Sequence, residues 1–340
     1  MKMTIAEHPP HVIDSIYIGG GTPTALTARQ MEKLFAMLHR YFPHRSSPLE
    51  CSMEANPGTI ERDKLGVMLD GGVNRISMGA QSFDDQLLKR LGRIHDARAV
   101  YESVHLARQA GFHNLSLDLM YGLPEQTMEQ LKASVEAAMS LELPHYSLYS
   151  LKIEENTPFH TWYEKGELVL PDEDAELAMY EYIMEKMVQN GYRHYEVSNF
   201  ARPGFESRHN LTYWKNESYY GLGAGAHGYV NGVRHVNVMG VKEYIHATKK
   251  GLPRLEEHVV SREEAMEDFM IMGLRMLDGI ENERFFRQFD KRPEDVFAKP
   301  LERAIDQGLL ERTSYGYRLT RKGLIFGNDV FALFLGEATT

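Results

Sequence analysis

Five short apolar runs in the first half of the chain constrain its fold more than any other feature. Each run is a few residues long, and the stretch between successive runs leaves room for one helix. Strand-length apolar runs that alternate with helical stretches are typical of βα units and a parallel sheet. The runs occupy residues 15–18, 51–54, 75–78, 115–119 and 146–151. The sequence therefore predicts an α/β fold with parallel strands.

Signals for helix ends agree with this interpretation. Thr27 and Gln30 have the spacing of a capping box, which opens a helix after the first run. Gly71-Gly72 and Gly111 follow helical stretches and precede the next run, as residues that end helices do.

The pattern changes after about residue 170. A helix is predicted from Pro171 to Gly191, a Gly- and aromatic-rich stretch covers 205–229, and the chain beyond Ser261 is mostly helical. Near the C-terminus a helix precedes a predicted hairpin that turns at 314–316, which is a winged-helix-like arrangement. The predicted division is into residues 1–170, residues 171–255 with the aromatic stretch, and residues 256–340 with the winged-helix-like unit.

The charge balance disfavours a nucleic acid partner. Forty-eight acidic against 38 basic residues give a net charge of -10, which opposes binding through nonspecific phosphate contacts. DNA binding is one interpretation of a winged helix, but the basic patch here is thin and consists of Arg312, Arg318, Arg321 and Lys322. We expect no nucleic acid partner and interpret the unit as a packing appendage.

Cys51 is the single cysteine of the chain. It excludes an intrachain disulfide framework, a thiolate zinc site and a cysteine-ligated cluster built from this chain alone. No stretch approaches the roughly 20 apolar residues of a membrane span, and the first residues lack the apolar core of a signal peptide. The predicted location is the cytoplasm.

Polar residues follow several of the predicted strands. Residues 19–23 are three glycines, a threonine and a proline directly after the first run, where a ligand can approach the backbone closely. Glu54 ends the second run, Gln81 follows the third, and Asp118 lies within the fourth. Glycine and proline alone are equally typical of a simple turn. Four polar features in register instead indicate one ligand-binding face, because the carboxyl ends of parallel strands share a face.

Carboxylates are unusual inside parallel strands, because both faces of such a sheet are normally covered. Glu54 and Asp118 therefore need partners. A ligand with an ammonium group or ribose hydroxyls would serve, and so would Arg75 or Arg93.

The chain resembles the oxygen-independent coproporphyrinogen oxidase-like radical S-adenosylmethionine (SAM) proteins over nearly its whole length. The matching segments are I-G-G-G-T-P-T at 18–24, M-E-A-N-P at 53–57, R-I-S-M-G-A-Q-S-F at 75–83, L-G-R at 91–93 and D-L-M-Y-G-L-P at 118–124. The resemblance implies a partial (β/α)6 radical SAM barrel that lacks its first strand, followed by the mostly helical C-terminal region.

The resemblance also implies a set of SAM contacts. By motif, Gly20, Gly21 and Thr22 would hold the methionyl amino group. The residues that would contact the carboxylate and the ribose of SAM are Glu54, Gln81, Arg93 and Asp118. Their chemistry is suitable, because carboxylates accept from ammonium and hydroxyl donors and a guanidinium fork matches a carboxylate.

A second cluster resembles the H-N-x-x-Y-W segment of the heme-chaperone branch of this family. It reads H-N-L-T-Y-W at 209–214 and is followed by a glycine-rich segment at 221–228 that contains His227. His209 is then a candidate ligand of heme iron, since imidazole is a common axial ligand. The arginines that could pair with the propionates are Arg202, Arg208 and Arg234. A histidine beside a tryptophan is also typical of simple packing, and for His227 we retain that interpretation.

The chain departs from the family at its N-terminal end. Radical SAM enzymes hold a [4Fe–4S] cluster through a C-x-x-x-C-x-x-C loop after the first barrel strand, and the glycine motif here begins already at Gly19. Cys51 lies in a later strand and is one thiol where three are needed. We therefore expect no reductive cleavage of SAM by this chain, as a truncated or degenerate family member. The exposed edge of the strand at 15–18 predicts low solubility or dimerisation.

Three functions are consistent with the sequence. The resemblance favours a heme chaperone that binds heme, or another porphyrin, and delivers heme to recipient proteins. The alternative within the family is an oxygen-independent coproporphyrinogen III oxidase, which decarboxylates two propionates oxidatively. A third possibility is a barrel hydrolase or isomerase that uses Glu54, Asp118 and histidines, but no H-x-H or H-E-x-x-H spacing supports a metal site.

Overall fold

The fold is organised by a seven-stranded sheet with the order β1-β2-β3-β4-β5-β7-β6. The structure is a computed structural model that describes residues 1–10 and 12–338. The strands are β1 Ile13–Ile18, β2 Arg45–Ala55, β3 Arg75–Gln81, β4 Asn114–Tyr121, β5 His145–Ser150, β6 Arg193–Glu196 and β7 Asn199–Ala201. The five predicted runs fall on β1 to β5, and these strands are parallel, as predicted. The two short strands β6 and β7 add an antiparallel edge.

Helices lie before and between these strands, and most of them contribute buried residues to the core on one face of the sheet. They are α1 Lys2–Glu7, α2 Ala28–Tyr41, α3 Arg62–Asp70, α4 Asp85–Arg90, α5 Ala97–Ala110, α6 Met128–Met139, α7 Pro158–Glu164 and α8 Glu173–Gln189. The predicted capping box is present at the start of α2, where Thr27 and Gln30 bond reciprocally. Gly111 ends α5 in the left-handed conformation, with a φ of 108°.

The two faces of the sheet differ in polarity. Alternate residues of each strand point to the same face, and in β2 Cys51, Met53 and Ala55 join the hydrophobic core beneath the helices. The residues between them are polar, and the corresponding residues of β3, β4 and β5 are mostly polar as well. We call this second surface the polar face; its members include Glu50, Ser52, Glu54, Arg75, Ser77, Ser116, Asp118, His145 and Ser147.

The second half of the chain adds a small sheet and a C-terminal helical unit. The elements are α9 Arg208–Trp214, β8 His227–Val230, β9 Val233–Asn237, α10 Val241–Ala247, β10 Arg254–Val259, α11 Arg262–Gly273, β11 Ile280–Glu281, α12 Asn282–Phe289, α13 Pro293–Val296, α14 Ala298–Asp306, β12 Leu310–Arg312, β13 Gly316–Leu319, α15 Arg321–Ile325 and α16 Gly327–Ala332. The small sheet has the order β10-β9-β8. The predicted helix and hairpin near the C-terminus are α14, β12 and β13, with β11 paired to β13. The domain boundaries at 170 and 255 stay predictions.

Basic residues of the hairpin region form ion pairs and hydrogen bonds with other residues of the chain. Arg318 pairs with Glu311 at 2.6 Å, Arg321 pairs with Glu185 at 2.7 Å, and Lys322 donates to a backbone carbonyl. These contacts support the interpretation of the unit as a packing appendage. Within residues 1–10 and 12–338, no helix has the length and apolar character needed to span a membrane.

Candidate functional site

The glycine motif lies at the end of β1, against the carboxylate near the end of β2. Gly20 donates its backbone N–H to Glu54 Oε2 at 3.1 Å, and the Tyr17 hydroxyl donates to Glu54 Oε1 at 2.5 Å. Gly20 and Gly21 have φ angles of 83° and 132°, which other residues rarely adopt. Burial, and next the charge of Glu54, raise the pKa of the Tyr17 phenol, so it acts as a donor at neutral pH.

Gly19 leaves no room for a side chain. A Cβ atom there would lie 2.5 Å from the Tyr17 ring and 2.7 Å from the Glu54 carboxyl carbon. We expect Gly19→Ala to lower the free energy of unfolding by about 1–3 kcal/mol, because the Tyr17–Glu54 pair must move. Urea denaturation measures this change. Gly66→Ala is the matched control, since Gly66 is exposed inside α3 with open space around it, and it is expected to stabilise by about 0.5–1 kcal/mol. A Gly19→Ala variant as stable as the parent would contradict the packing described here.

The end of β3 carries a bulge that turns Gln81 toward Arg93. The β3–β4 register shifts between Gly79 and Gln81, and Gln81 has a φ of 66°. Arg93 Nη2 donates to the Gly79 carbonyl at 3.0 Å. A Cβ atom at Gly79 would lie 2.8 Å from Gln81 Nε2 and 2.9 Å from Arg93 Nη2, so both side chains converge on this glycine. Asn56, just after the end of β2, bonds Thr22 at 3.0 Å and extends the cluster to the glycine motif.

Arg93 retains an unused donor. Its Nε is buried and has no hydrogen-bond partner within the described part of the chain. Burial also lowers the pKa of the guanidinium, with the charge of Asp118 acting in the opposite direction. Burying a guanidinium N–H without a hydrogen-bond acceptor costs free energy, unless an anionic group of a ligand supplies the acceptor. This arrangement fits the carboxylate of an amino acid ligand.

Asp118 lies on the polar face of β4, opposite Gly79 of β3. It is half-buried and accepts from the Ser77 hydroxyl at 3.1 and 3.2 Å. Burial raises its pKa to about 6, while the bonds from Ser147 and Ser77 act in the opposite direction. The carboxylate is therefore mostly ionised at pH 7 and able to accept hydrogen bonds from ligand hydroxyls.

Six of the seven predicted SAM contacts lie at or beside neighbouring strand ends, and Asp118 lies within β4, three residues before its end. Glu54 is opposite Ser77, and Gly79 is opposite Asp118, so the four strands β1 to β4 supply one continuous cluster. Tyr17 and Ser77, which were not predicted as site residues, also belong to this cluster. Asn56, in the M-E-A-N-P segment at 53–57, is a further member for which no role was predicted.

His209 begins the aromatic segment on α9 and lies against β1. Its Nδ1 is 3.1 Å from the Ser15 hydroxyl, and its Nε2 is 2.8 Å from the Tyr213 hydroxyl. The imidazole also stacks on Tyr17, with centroids 4.8 Å apart and planes 8° apart. Burial lowers the pKa of His209 to about 4, against the opposing charge of Glu50. The imidazole is therefore neutral at pH 7 and keeps a lone pair for a metal, once one of its two hydrogen bonds is released.

The three arginines considered for propionates are not brought together. Arg202 lies over the Tyr192 ring at 4.1 Å, and Arg234 pairs with Asp268. Arg208 precedes His209 directly and is exposed, with the Asp14 carboxylate at 3.8 Å. Of the three, Arg208 fits a propionate near His209. His227 is exposed at the start of β8.

The cysteine does not fit an iron–sulfur cluster. Cys51 is 3% exposed in the core face of β2, away from the polar face, and burial raises its pKa to about 11. Among residues 1–10 and 12–338 there is no group of three His, Cys, Asp or Glu side chains placed to hold a metal ion. The same finding gives no support to the metal-dependent hydrolase hypothesis.

Comparison with known proteins decides the family. Residues 2–138 match the model of the Radical SAM superfamily, and residues 260–326 match that of the HemN C-terminal domain. The heme chaperone HemW of Bacillus subtilis (strain 168) is 44% identical over 99% of this chain and 89% of its own length. The chain belongs to the HemW family of heme chaperones.

Further relatives agree with this assignment. HemW of Lactococcus lactis (strain IL1403) is 45% identical over 94% of this chain and 84% of its own, and HemW of Escherichia coli (strain K12) is 35% identical over 96% and 85%. The solved structure of coproporphyrinogen III oxidase (HemN) from Escherichia coli, a radical SAM enzyme, superposes with a TM-score of 0.83 over 98% of this chain and 81% of that one. At 23% identity it shows the fold alone, and it confirms the predicted partial radical SAM barrel.

Proposed function

We propose that this protein binds heme through His209 and passes it to recipient proteins. The observation that carries the proposal is the placement of His209, which is half-buried, neutral and held on the polar face by Ser15, Tyr17 and Tyr213. A neutral imidazole in a partly apolar, aromatic surrounding is suited to axial ligation of heme iron. Titration with hemin, followed at the Soret band, tests the proposal. A chain that produces no shift would overturn it.

The alternative, an oxygen-independent coproporphyrinogen III oxidase, has weaker support. The chain shares 23% identity with HemN, against 44% with a named heme chaperone. The H-N-L-T-Y-W segment that starts at His209 also favours the chaperone. A cytoplasmic location stays a prediction.

The second part of the proposal is a SAM site at the carboxyl ends of β1 to β4. Gly20, Gly21 and Thr22 would hold the methionyl ammonium, as the resemblance implies. Glu54 lies against Gly20, so we propose that it takes this ammonium as well, in place of the contact to the carboxylate or ribose that the motif implies. The unused Nε of Arg93 would complete a fork to the carboxylate. Asp118 would accept from the ribose hydroxyls beside Gln81. The radical SAM family implies SAM and a [4Fe–4S] cluster as cofactors, but the residues described here fit the former and not the latter.

Tyr213 competes with iron for His209. Its hydroxyl is 2.8 Å from Nε2, and a hydrogen bond of this kind contributes about 1 kcal/mol. If iron binds Nε2, Tyr213→Phe removes the competitor and is expected to tighten hemin binding about fivefold. A hemin titration at fixed ionic strength measures the change. Thr212→Ala is the control, because the Thr212 hydroxyl donates to the Arg208 carbonyl within α9. Weaker binding in Tyr213→Phe would argue against ligation through Nε2.

We also propose self-association through β1. The sheet order places β1 at an edge, with β2 as its hydrogen-bonded neighbour. An edge strand presents backbone donors and acceptors to a further strand. We expect light scattering to show dimers or larger species that dissociate when Ile16 is replaced by proline, which cannot donate. A monodisperse monomer of the parent chain would contradict this proposal.

A further inference from the structure

Glu50 occupies an unusual position for a carboxylate. It lies on the polar face of β2 and is 6% exposed. Its oxygens accept from the backbone N–H of Arg208 at 2.9 Å and of His209 at 3.1 Å, and from the Ser207 hydroxyl at 3.4 Å. A buried carboxylate is tolerated where hydrogen bonds of this kind compensate for its lost hydration. All three donors belong to the first turn of α9 or to the residue before it.

The helix that Glu50 contacts is short and depends on its contacts with the sheet. α9 is seven residues long, and none of its residues is fully buried. A helix of this length does not persist on its own and depends on tertiary contacts. The Ser207 hydroxyl caps it by accepting from Asn210 N at 3.3 Å, a local contact that does not fix the helix to the sheet.

A second set of hydrogen bonds connects Ser207, the residue before α9, to β6, β5 and β4. Ser207 N donates to the Tyr195 hydroxyl at 3.2 Å, and that hydroxyl is 2.8 Å from His145 Nε2. His145 Nδ1 in turn is 2.7 Å from the Ser116 hydroxyl. Burial lowers the pKa of His145 well below its ordinary value, so it stays neutral within this chain of bonds. The start of α9 is therefore anchored to β2, β4, β5 and β6.

We propose that Glu50 is a positioning residue for heme binding: it fixes the first turn of α9 to the sheet so that the His209 imidazole lies between Ser15 and Tyr17. The inference rests on the proposed role of His209. Glu50 lies 159 positions before His209 in the chain and outside the H-N-x-x-Y-W segment. Glu50 itself does not contact the iron; it acts through the backbone that carries the ligand.

The first experiment uses the protein without heme, so that it does not depend on the function of His209. Hydrogen exchange is compared for Glu50→Gln and the parent chain. The substituted amide keeps one acceptor oxygen but presents an NH2 donor toward the backbone N–H groups of Arg208 and His209. We expect at least tenfold faster exchange in residues 208–214, with α5 and α6 unchanged. Unchanged exchange in residues 208–214 would overturn the inference.

The second experiment is hemin titration of Glu50→Gln and Glu50→Ala. We expect Glu50→Ala to lower hemin affinity at least tenfold and to move the Soret band toward that of free hemin, with Glu50→Gln intermediate. Asp172→Asn is the control, because Asp172 caps the remote helix α8, and this variant is expected to leave the affinity unchanged. In a double-mutant cycle, Glu50→Ala adds little once His209 is already replaced by alanine.

The outcomes separate the two claims. A Soret shift in the parent that His209→Ala leaves unchanged would overturn the proposed function, while the exchange result would still decide whether Glu50 anchors α9. A His209-dependent shift that Glu50→Ala leaves unchanged, in a variant with native circular dichroism, would overturn the positioning role alone.

Discussion

Replacing His209 by alanine is expected to abolish the red shift of the Soret band that hemin shows on binding to the parent chain. The imidazole is the proposed iron ligand, and burial keeps it neutral down to a pH of about 4. Loss of an axial ligand leaves only contacts to the macrocycle and its propionates. We expect affinity to fall about 100-fold, which corresponds to about 2.8 kcal/mol. Absorbance titration at pH 7 measures both the shift and the affinity.

The matched control for this substitution is His227→Ala. His227 belongs to the same glycine- and aromatic-rich region but is exposed at the start of β8. The control is expected to bind hemin like the parent chain. Equal losses in both variants would show that hemin associates with surface histidines without a dedicated ligand, and would contradict the assignment of His209.

The second large effect is expected for Asp118→Asn on the binding of S-adenosylhomocysteine, which presents the ammonium, carboxylate and ribose groups of SAM without its sulfonium charge. Asparagine matches the shape of Asp118 and can still accept from Ser77, but it removes the charge that ribose hydroxyls would meet. A hydrogen bond to a charged group contributes about 1.5–3 kcal/mol. Calorimetric titration should therefore show affinity lower by about 10- to 100-fold. Asp174→Asn on the exposed first turn of α8 is the control.

The pH dependence of the same binding provides an independent check. The pKa of Asp118 is raised to about 6 by burial, so the carboxylate is mostly ionised above pH 7 and becomes protonated as the pH falls through 6. Affinity for S-adenosylhomocysteine is expected to be nearly constant above pH 7 and to decline below 6. In Asp118→Asn this decline should disappear. A parent chain with flat affinity between pH 5 and 8 would exclude Asp118 from the site.

The parallel strands and their helices were predictable because both are encoded by local periodicity. The apolar run at 115–119, for example, lies wholly within β4, and the Thr27 capping box opens α2 as predicted. The antiparallel strands β6 and β7 were not predicted. They are four and three residues long, and so short a stretch has no reliable alternation to identify it.

The site was predictable only in part, for a similar reason. Residues at strand ends could be assigned together because parallel strands bring their carboxyl ends to one face. The roles of Tyr17 and Glu50 could not be predicted in this way. Their partners are 37 and 159 residues away in the chain, and no local sequence pattern indicates a contact between residues so far apart. Gln81 was predicted as a contact, but the bulge that turns it toward Arg93 follows from strand register and is not readable from its neighbours.

The most direct test of the heme proposal is chemical rescue of His209→Gly by imidazole. Removing the side chain leaves a space beside Ser15, Tyr17 and Tyr213 where free imidazole can lie. If His209 ligates the iron, hemin bound to His209→Gly should regain the parent's Soret position on addition of imidazole, at concentrations that do not produce this spectrum with free hemin. A parent-like spectrum of His209→Gly without imidazole, or no recovery with it, would contradict the assignment.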